Sequence, residues 1–129
     1  MTDTREDCVL LKKLSYYQKM KERWQSADIA IVGIGNTEML DVFGKTFGYS
    51  EKHLQITGDI ATHFFNEKGE IIELYENTIC ASAEDLKNAG EVIAIAGGND
   101  KINAIRSALR TGIIDTLITD EYTAAMILK

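Results

Sequence analysis

The sequence lacks proline and has only two cysteines, Cys8 and Cys80, in 129 residues. Neither cysteine belongs to a CxxC pair or to the Cys/His spacing that is typical of metal sites. This pattern favours two free thiols over a disulfide or a metal site, and we expect neither a metal nor another cofactor. The absence of proline fits a compact chain without a stiff linker.

Positive charge is scarce as well. The formal net charge is -6, the sequence pI is near 4.9, and no stretch is rich in lysine and arginine. Proteins that bind nucleic acids neutralise phosphates with a basic surface, which this composition does not supply. The sequence therefore predicts no direct DNA binding by this chain.

Long apolar runs are missing, and the N-terminus carries Asp3, Glu6 and Asp7 where a signal peptide would be basic and then apolar. A membrane span needs about 20 apolar residues in succession. We therefore expect a cytoplasmic protein. With 45% hydrophobic residues, the 129-residue chain can form one ordinary core, which predicts a single domain over residues 1–129.

The most informative stretch runs from Glu91 to Arg110 and is predicted to be a strand, a glycine turn at Gly97 and Gly98, and a helix. The apolar run from Glu91 to Ala96 suits a strand that is buried on both faces. The turn and the unpaired amides of the following helix can bind a phosphate, to which Lys101 would add a charge. Alternatively, Asn99 only caps the helix and Lys101 is solvated.

Two more strand-to-helix junctions have the same character. The predicted strand from Asp28 to Ile34 ends at Gly33 and Gly35, and the one from Ile113 to Thr119 ends at Thr119 and Asp120. The first lacks the third glycine of a dinucleotide fingerprint, which argues against nicotinamide or flavin binding. If the three strands are parallel, all the junctions lie along one edge, where open α/β sheets bind ligands.

After Gly58 the spacing of apolar residues changes from the helical period to the alternation that is typical of strands. Residues 59–65 and 70–75 are predicted to form two strands joined by a hairpin turn from Asn66 to Gly69. Asp59, at the start of the first, is either a solvent-facing capping carboxylate or an acceptor for ligand hydroxyls. If this strand is regular, Phe64 and Phe65 point to opposite faces and only one is expected to be deeply buried. The predicted fold is α/β, with a mostly parallel sheet flanked by helices and an antiparallel hairpin.

Four segments in this order resemble the effector-sensing domain of SorC/DeoR-type bacterial transcriptional regulators: IAIVGIGN, GDIATHFFNEKGEI, IAGGNDKINAIRSALRTGIIDTLITDE and TAAMIL. The resemblance extends from about Trp24 to the C-terminus. It implies a fold similar to sugar-phosphate isomerases of the glucosamine-6-phosphate and ribose-5-phosphate type. It also implies a phosphorylated sugar as the effector.

The resemblance also implies roles for individual residues. Lys101 and the Gly97–Gly98 turn would hold the phosphate, and Asp59 would accept hydrogen bonds from sugar hydroxyls. The remaining residues expected to line the ligand edge are Gly33, Gly35, Thr119 and Asp120. The alternative function is a sugar-phosphate isomerase-like enzyme, which would need a general base. Asp59, Asp120 and Glu121 are the candidates for that role, and no second acid/base partner is evident.

Complete regulators of this family begin with a helix-turn-helix domain and the first part of the sensing domain, and neither precedes Met1 here. The chain thus resembles the C-terminal portion of a regulator, and DNA binding is expected only through the missing domain. An exposed strand edge or apolar helix face predicts a homo-oligomer. The amphipathic helix predicted from Val9 to Trp24 is the expected contact, because its aromatic stripe is wide.

Overall fold

A computed structural model describes residues 1–48 and 50–129. Within these residues the chain forms six α-helices and six β-strands, besides short 3-10 helices at Glu51–Gln55 and Asn99–Lys101. The helices are α1 (Arg5–Lys12), α2 (Ser15–Gln25), α3 (Glu38–Phe47), α4 (Ala83–Lys87), α5 (Ile102–Arg110) and α6 (Glu121–Ile127). The strands are β1 (Ile29–Gly35), β2 (Gly58–Ile60), β3 (His63–Phe65), β4 (Ile71–Ile72), β5 (Glu91–Ile95) and β6 (Thr116–Ile118).

All six strands belong to one sheet, in the order β4-β3-β2-β1-β5-β6. Strands β1, β5 and β6 are parallel, whereas β2 is antiparallel to β1 and to β3, and β3 is antiparallel to β4. The predicted fold class, an α/β fold with a sheet flanked by helices and an antiparallel part, is confirmed. The sheet is mixed and not mostly parallel as predicted, since three of its five strand pairings are antiparallel. The antiparallel part contributes three strands, one more than the predicted hairpin.

The additional strand arises from a tight turn at Ala61 and Thr62. The stretch predicted as one strand is divided there into β2 and β3, and both turn residues have positive φ, 49° and 70°. Two-residue hairpin turns need this conformation and are usually marked by Asn-Gly or Asp-Gly. Alanine and threonine give no such signal, so the prediction of a single strand was wrong. The expected turn from Asn66 to Gly69 is present, with the Gly69 amide donating to the Asn66 carbonyl at 2.9 Å.

One face of the sheet is covered by α4, α5 and α6. Helix α5 lies across β1 and β2 and packs against α6. Its inward residues Ala104, Ile105 and Ala108 are buried against Phe65 and Val92 in the main hydrophobic core. The helical spacing of these small and branched residues explains why this face of α5 is the one that meets the sheet.

The antiparallel half of the sheet is also covered on its other face. Phe64, on β3, is buried there in a second cluster with Leu40 and Ile56. Phe64 is 5% exposed and Phe65 is 0% exposed, on opposite faces of the strand. The expectation that only one of the two would be deeply buried was therefore wrong, because this half of the sheet has hydrophobic cores on both sides.

The parallel half of the sheet, in contrast, has one open apolar face. Four isoleucines on this face are more than half exposed: Ile29 (56%), Ile31 (69%), Ile95 (54%) and Ile118 (51%). They share a face because Ile31 pairs with Ile93, and Ile95 pairs with Ile118. The prediction that β5 is buried on both faces was wrong for this chain, since no described helix covers this side. We call these four residues the open isoleucine face.

The N-terminal segment folds as two helices instead of the single one predicted from Val9 to Trp24. Thr4 caps α1 through a hydrogen bond from the Asp7 amide at 3.1 Å. The helical conformation is interrupted at Leu14, whose backbone is extended. The rings of Tyr17 and Trp24 pack edge to face within α2, 5.9 Å apart. Among the described helices, none has the length and apolar character needed to cross a membrane.

Candidate functional site

The three predicted junctions lie side by side at the carboxyl ends of β1, β5 and β6. Gly33 pairs with Ile95, and Ile95 pairs with Ile118, so the segments that follow these strands emerge next to one another. Asp59 joins them because β2 pairs it with Gly35. The fold thus brings the eight predicted site residues to one edge of the sheet, which we call the ligand edge. They are Gly33, Gly35, Asp59, Gly97, Gly98, Lys101, Thr119 and Asp120.

Asp59 lies directly over the backbone of Gly35. A Cβ atom on Gly35 would be only 2.0 Å from Asp59 Oδ1, so this position needs a glycine for the carboxylate to stay where it is. The other carboxylate oxygen, Oδ2, accepts a hydrogen bond from the Thr62 amide at 3.2 Å. The tight turn between β2 and β3 therefore orients this side chain as well as ending the strand.

Burial raises the pKa of Asp59 above its ordinary value. The hydrogen bond from Thr62 and the positive charges of Lys101 and His63 act in the opposite direction and offset part of this shift. Both cations therefore lie within electrostatic reach of the carboxylate. Such a partly desolvated acid beside cations is a common feature of binding sites.

The Lys101 side chain folds across the ligand edge. Its Nζ atom donates to the carbonyl of Ile34, near the end of β1, at 3.0 Å, and the side chain is half-buried. Because an ammonium group has three N–H donors, this bond leaves further donor capacity for a ligand. The Lys101 side chain is therefore not fully solvated, as it would be if Asn99 only capped the helix and Lys101 had no further role.

The Gly97–Gly98 turn is held by the residues after β6. Gly98 has a φ of 109°, which favours glycine, and its amide donates to Asp120 Oδ2 at 3.2 Å and to Thr123 Oγ1 at 3.0 Å. A Cβ atom on Gly97 would lie 2.4 Å from the same Asp120 oxygen. The turn thus contacts a carboxylate in this structure, and the Gly98 amide is already paired within the protein.

Asp120 has a structural task besides its place at the ligand edge. It caps α6 by accepting from the Thr123 amide at 2.8 Å, and the Thr123 hydroxyl donates to its Oδ2 at 2.6 Å. These two hydrogen bonds and that from Gly98 lower the pKa of Asp120, with the Thr123 hydroxyl contributing most. Sequence reasoning missed Thr123, although Asp120 is a typical N-cap residue and Thr123 lies at the third helical position, whose amide such a residue bonds.

Asn36 is a second residue that the sequence analysis did not identify. Its Nδ2 atom donates to Asp100 Oδ2 at 3.0 Å, and its Oδ1 atom accepts from the Glu38 amide at 3.1 Å. The first of these bonds links the turn after β1 to the turn after β5. It also engages the Asp100 carboxylate, whose charge lies near the predicted phosphate position.

Thr119 contributes an unpaired polar atom to the same edge. Its Oγ1 is buried and has no hydrogen-bond partner in the described part of the chain. A Cβ atom on Gly97 would lie 3.3 Å from it. Buried polar atoms are nearly always paired, and an orphan of this kind calls for a particular explanation. A ligand atom at the ligand edge would supply the missing partner.

Comparisons with known proteins identify the family of the chain. The Sugar-bind family model, described as "Putative sugar-binding domain", matches residues 1–129. Transcriptional regulator LsrR of Escherichia coli (strain K12) is 34% identical over 116 residues, which are 81% of this chain and 37% of LsrR. The chain thus spans less than two fifths of this relative.

Solved structures show the same similarity. Full-length sorbitol operon regulator SorC from Klebsiella pneumoniae matches with a TM-score of 0.86 and 27% identity, over 100% of this chain and 44% of that one. A probable sor operon regulator from Shigella flexneri also gives 0.86, with 29% identity, over 100% of this chain and 53% of that one. The chain belongs to the family of sugar-binding domains found in SorC/DeoR-type transcriptional regulators.

Proposed function

We propose that residues 1–129 form a single sugar-phosphate-sensing domain of a regulator that controls sugar metabolism genes, and that the effector binds at the ligand edge. One observation carries the proposal: the Lys101 ammonium group reaches the carbonyl of Ile34, at the end of the strand whose Gly35 lies under the Asp59 carboxylate. A cation for a phosphate and an acceptor for hydroxyls are therefore next to each other. A phosphorylated sugar needs both.

The two ends of the ligand have different partners in this proposal. Lys101 holds the phosphate, since a lysine can bind it as a point charge. The Gly97–Gly98 turn lies beside the phosphate, with its Gly98 amide paired to Asp120 and Thr123. Asp59 accepts hydrogen bonds from the sugar hydroxyls, and the unpaired hydroxyl of Thr119 bonds a further ligand oxygen. Gly33 and Gly35 line the edge from β1, and Asp120 supports it by fixing the turn after β5.

The proposed role is binding without turnover, in the cytoplasm. The relatives named above are transcriptional regulators, and their greater length supports a separate DNA-binding domain. Ligand binding controls such a regulator if the ligand has different affinities for its two arrangements. An isomerase would require a general base. Of the three candidates, Asp120 is already engaged by Thr123 and Gly98, which leaves Asp59 and Glu121 for the isomerase alternative.

A thermal-shift panel of phosphorylated sugars against the intact chain tests this function. A ligand at one hundred times its dissociation constant should raise the free energy of unfolding by about 2.7 kcal/mol. The unphosphorylated form of each sugar is the matched control and should give little stabilisation, since it lacks the group that Lys101 holds. Stabilisation without conversion of the ligand supports a binding domain, whereas product formation supports the isomerase alternative. If no phosphorylated sugar stabilises the chain, both the binding function and the isomerase alternative are contradicted.

We further propose that the chain is a homo-oligomer that associates through the open isoleucine face. A second copy is a suitable occupant, because a patch of branched apolar side chains on adjacent strands is complementary to itself, as a two-fold interface requires. The N-terminal helices are the alternative contact: the Tyr17 ring packs against Trp24, but Leu10, Leu14 and Tyr16 are more than half exposed. The open isoleucine face is therefore the favoured interface, and the predicted N-terminal helix is the alternative.

Ile31→Glu should weaken self-association at least about tenfold, because the charge would be desolvated in the interface. Ile31 is 69% exposed, so the substitution should cost little folding stability. Light scattering across a dilution series measures the effect, with Leu54→Glu, at an 89% exposed site on the 3-10 helix, as the matched control. A wild-type chain that is monomeric at all concentrations contradicts self-association. An oligomer that is sensitive to Tyr17→Glu but not to Ile31→Glu places the interface on α2.

A further inference from the structure

Asp100 and Lys101 carry opposite charges at adjacent positions, yet their side chains have different partners. In the part of the chain that the structure describes, no ion pair joins the two. The Lys101 ammonium group instead donates to the carbonyl of Ile34, and the Asp100 carboxylate accepts from Asn36. Ile34 lies near the end of β1 and Asn36 follows the strand directly, so one short segment of chain holds the two charges separately.

The Asn36 side chain is oriented by two partners with opposite requirements. Its Oδ1 atom accepts from the Glu38 amide at 3.1 Å, and its Nδ2 atom donates to Asp100 Oδ2 at 3.0 Å. Because a backbone amide only donates and an ionised carboxylate only accepts, one orientation of the Asn36 amide serves both partners. The bond to the first residue of α3 therefore keeps the donor of Asn36 directed at Asp100.

The Asp100 carboxylate also lies against the glycine turn after β5. A Cβ atom on Gly98 would lie 2.9 Å from Asp100 Oδ1, and the Lys101 amide donates to the Gly98 carbonyl at 3.1 Å. A negative charge is therefore held beside the turn at which the phosphate is proposed to bind. Asp100 is exposed, so without the bond from Asn36 its side chain could rotate toward Lys101.

We propose that Asn36 is a positioning residue of the phosphate site, which holds the Asp100 carboxylate away from Lys101 so that the ammonium group stays available to the phosphate. This inference rests on the function proposed above. A carboxylate that paired with Lys101 would compete with the phosphate for the same positive charge, and its own charge would repel the phosphate. Asn36 acts in this way through Asp100, without contacting the ligand.

The size of the expected effect follows from the exposure of Asp100. An ion pair between exposed groups changes an equilibrium constant by up to about fivefold. Release of Asp100 toward Lys101 should therefore lower the affinity for phosphate about three- to fivefold. Because salt screens exposed charges, the loss should be larger at low ionic strength than at high ionic strength.

The test is a titration with inorganic phosphate, followed through the NMR shifts of the Gly98 and Lys101 amides. Asn36→Ala should lower the affinity about three- to fivefold. Asn36→Ser should do the same, because a serine hydroxyl can still accept from the Glu38 amide but the amide donor to Asp100 is lost. This second variant also replaces the first if Asn36→Ala does not fold. Thr37→Ala is the matched control, since Thr37 makes no side-chain capping bond to α3, and it should leave the affinity unchanged.

A double-mutant cycle separates positioning of Asp100 from a merely structural role of Asn36. In an Asp100→Asn background there is no charge to release, so Asn36→Ala should have no further effect on phosphate affinity. An equal loss in both backgrounds means that Asn36 acts through α3 or on the phosphate itself, and overturns the inference. If the wild-type chain binds phosphate and Asn36→Ala binds it equally well, the inference alone is overturned. A wild-type chain that binds neither inorganic phosphate nor any phosphorylated sugar overturns the proposed function, and this inference with it.

Discussion

Lys101→Ala should lower the affinity for a phosphorylated sugar by about 10- to 100-fold. Hydrogen bonds to charged groups contribute about 1.5 to 3 kcal/mol, and each 1.4 kcal/mol is a factor of ten in the dissociation constant. The substitution also removes the bond from Nζ to the carbonyl of Ile34, so a stability loss of about 1 kcal/mol is expected with it. Isothermal titration measures the affinity, and thermal unfolding of the free chain measures the stability.

Asp59→Asn is the matched variant at the other end of the ligand. It keeps the shape of the side chain but removes its charge, so it should weaken a sugar phosphate and leave inorganic phosphate binding nearly intact. Lys101→Ala should weaken both ligands. If Lys101→Ala leaves both affinities unchanged, the phosphate does not contact this residue. If Asp59→Asn weakens inorganic phosphate as much as the sugar phosphate, the proposed division of the two roles is contradicted.

The positions of the strand-to-helix junctions could be predicted because their signals are local. A short apolar run such as Glu91–Ile95, followed by Gly97 and Gly98, indicates a strand and a sharp turn without knowledge of the rest of the chain. Parallel pairing then places the junctions together by topology alone. The sequence was therefore sufficient to predict that the three junctions, with Lys101 after the second, lie at one edge. The place of Asp59 there was implied only by the family resemblance.

The supporting contacts could not be predicted, because they join residues that are distant in sequence. Asn36 reaches Asp100 across 64 positions, and Thr123 reaches Gly98 across 25. Nothing in either local pattern identifies the partner. The turn at Ala61 and Thr62 was missed for another reason, namely that both residues have positive φ although neither belongs to the residue types that signal such a turn.

The open isoleucine face shows a further limit of local patterns. An apolar run in a strand predicts that its side chains can be buried on both faces, but not that this chain contains the element that covers them. Ile29 and Ile31 have the same character as the buried Ile34, yet helix α5 packs on only one side of the sheet. The pattern of apolar residues shows which side chains can be buried. Whether they are buried depends on whether another element packs on that face of the sheet.

Gly35→Ala should lower the affinity for a phosphorylated sugar at least about tenfold, and more than Gly33→Ala, at the other glycine that lines the ligand edge from β1. A Cβ atom on Gly35 would lie 2.0 Å from Asp59 Oδ1, and all three of its nearest atoms belong to Asp59, so the carboxylate must move. A Cβ atom on Gly33 meets nothing within 4 Å. The loss of an aligned carboxylate acceptor should cost about 1.5 to 3 kcal/mol of binding free energy.

A double-mutant cycle shows whether Gly35→Ala acts through Asp59. In an Asp59→Ala background the carboxylate is absent, so the added methyl group at position 35 has no atom to displace and should have no further effect on affinity. Inorganic phosphate should still bind to Gly35→Ala, because Lys101 is untouched. Titration of the four chains with one sugar phosphate measures the coupling. Additive losses would mean that the methyl group blocks the ligand itself, and equal effects of Gly33→Ala and Gly35→Ala would remove the Asp59 carboxylate from the explanation.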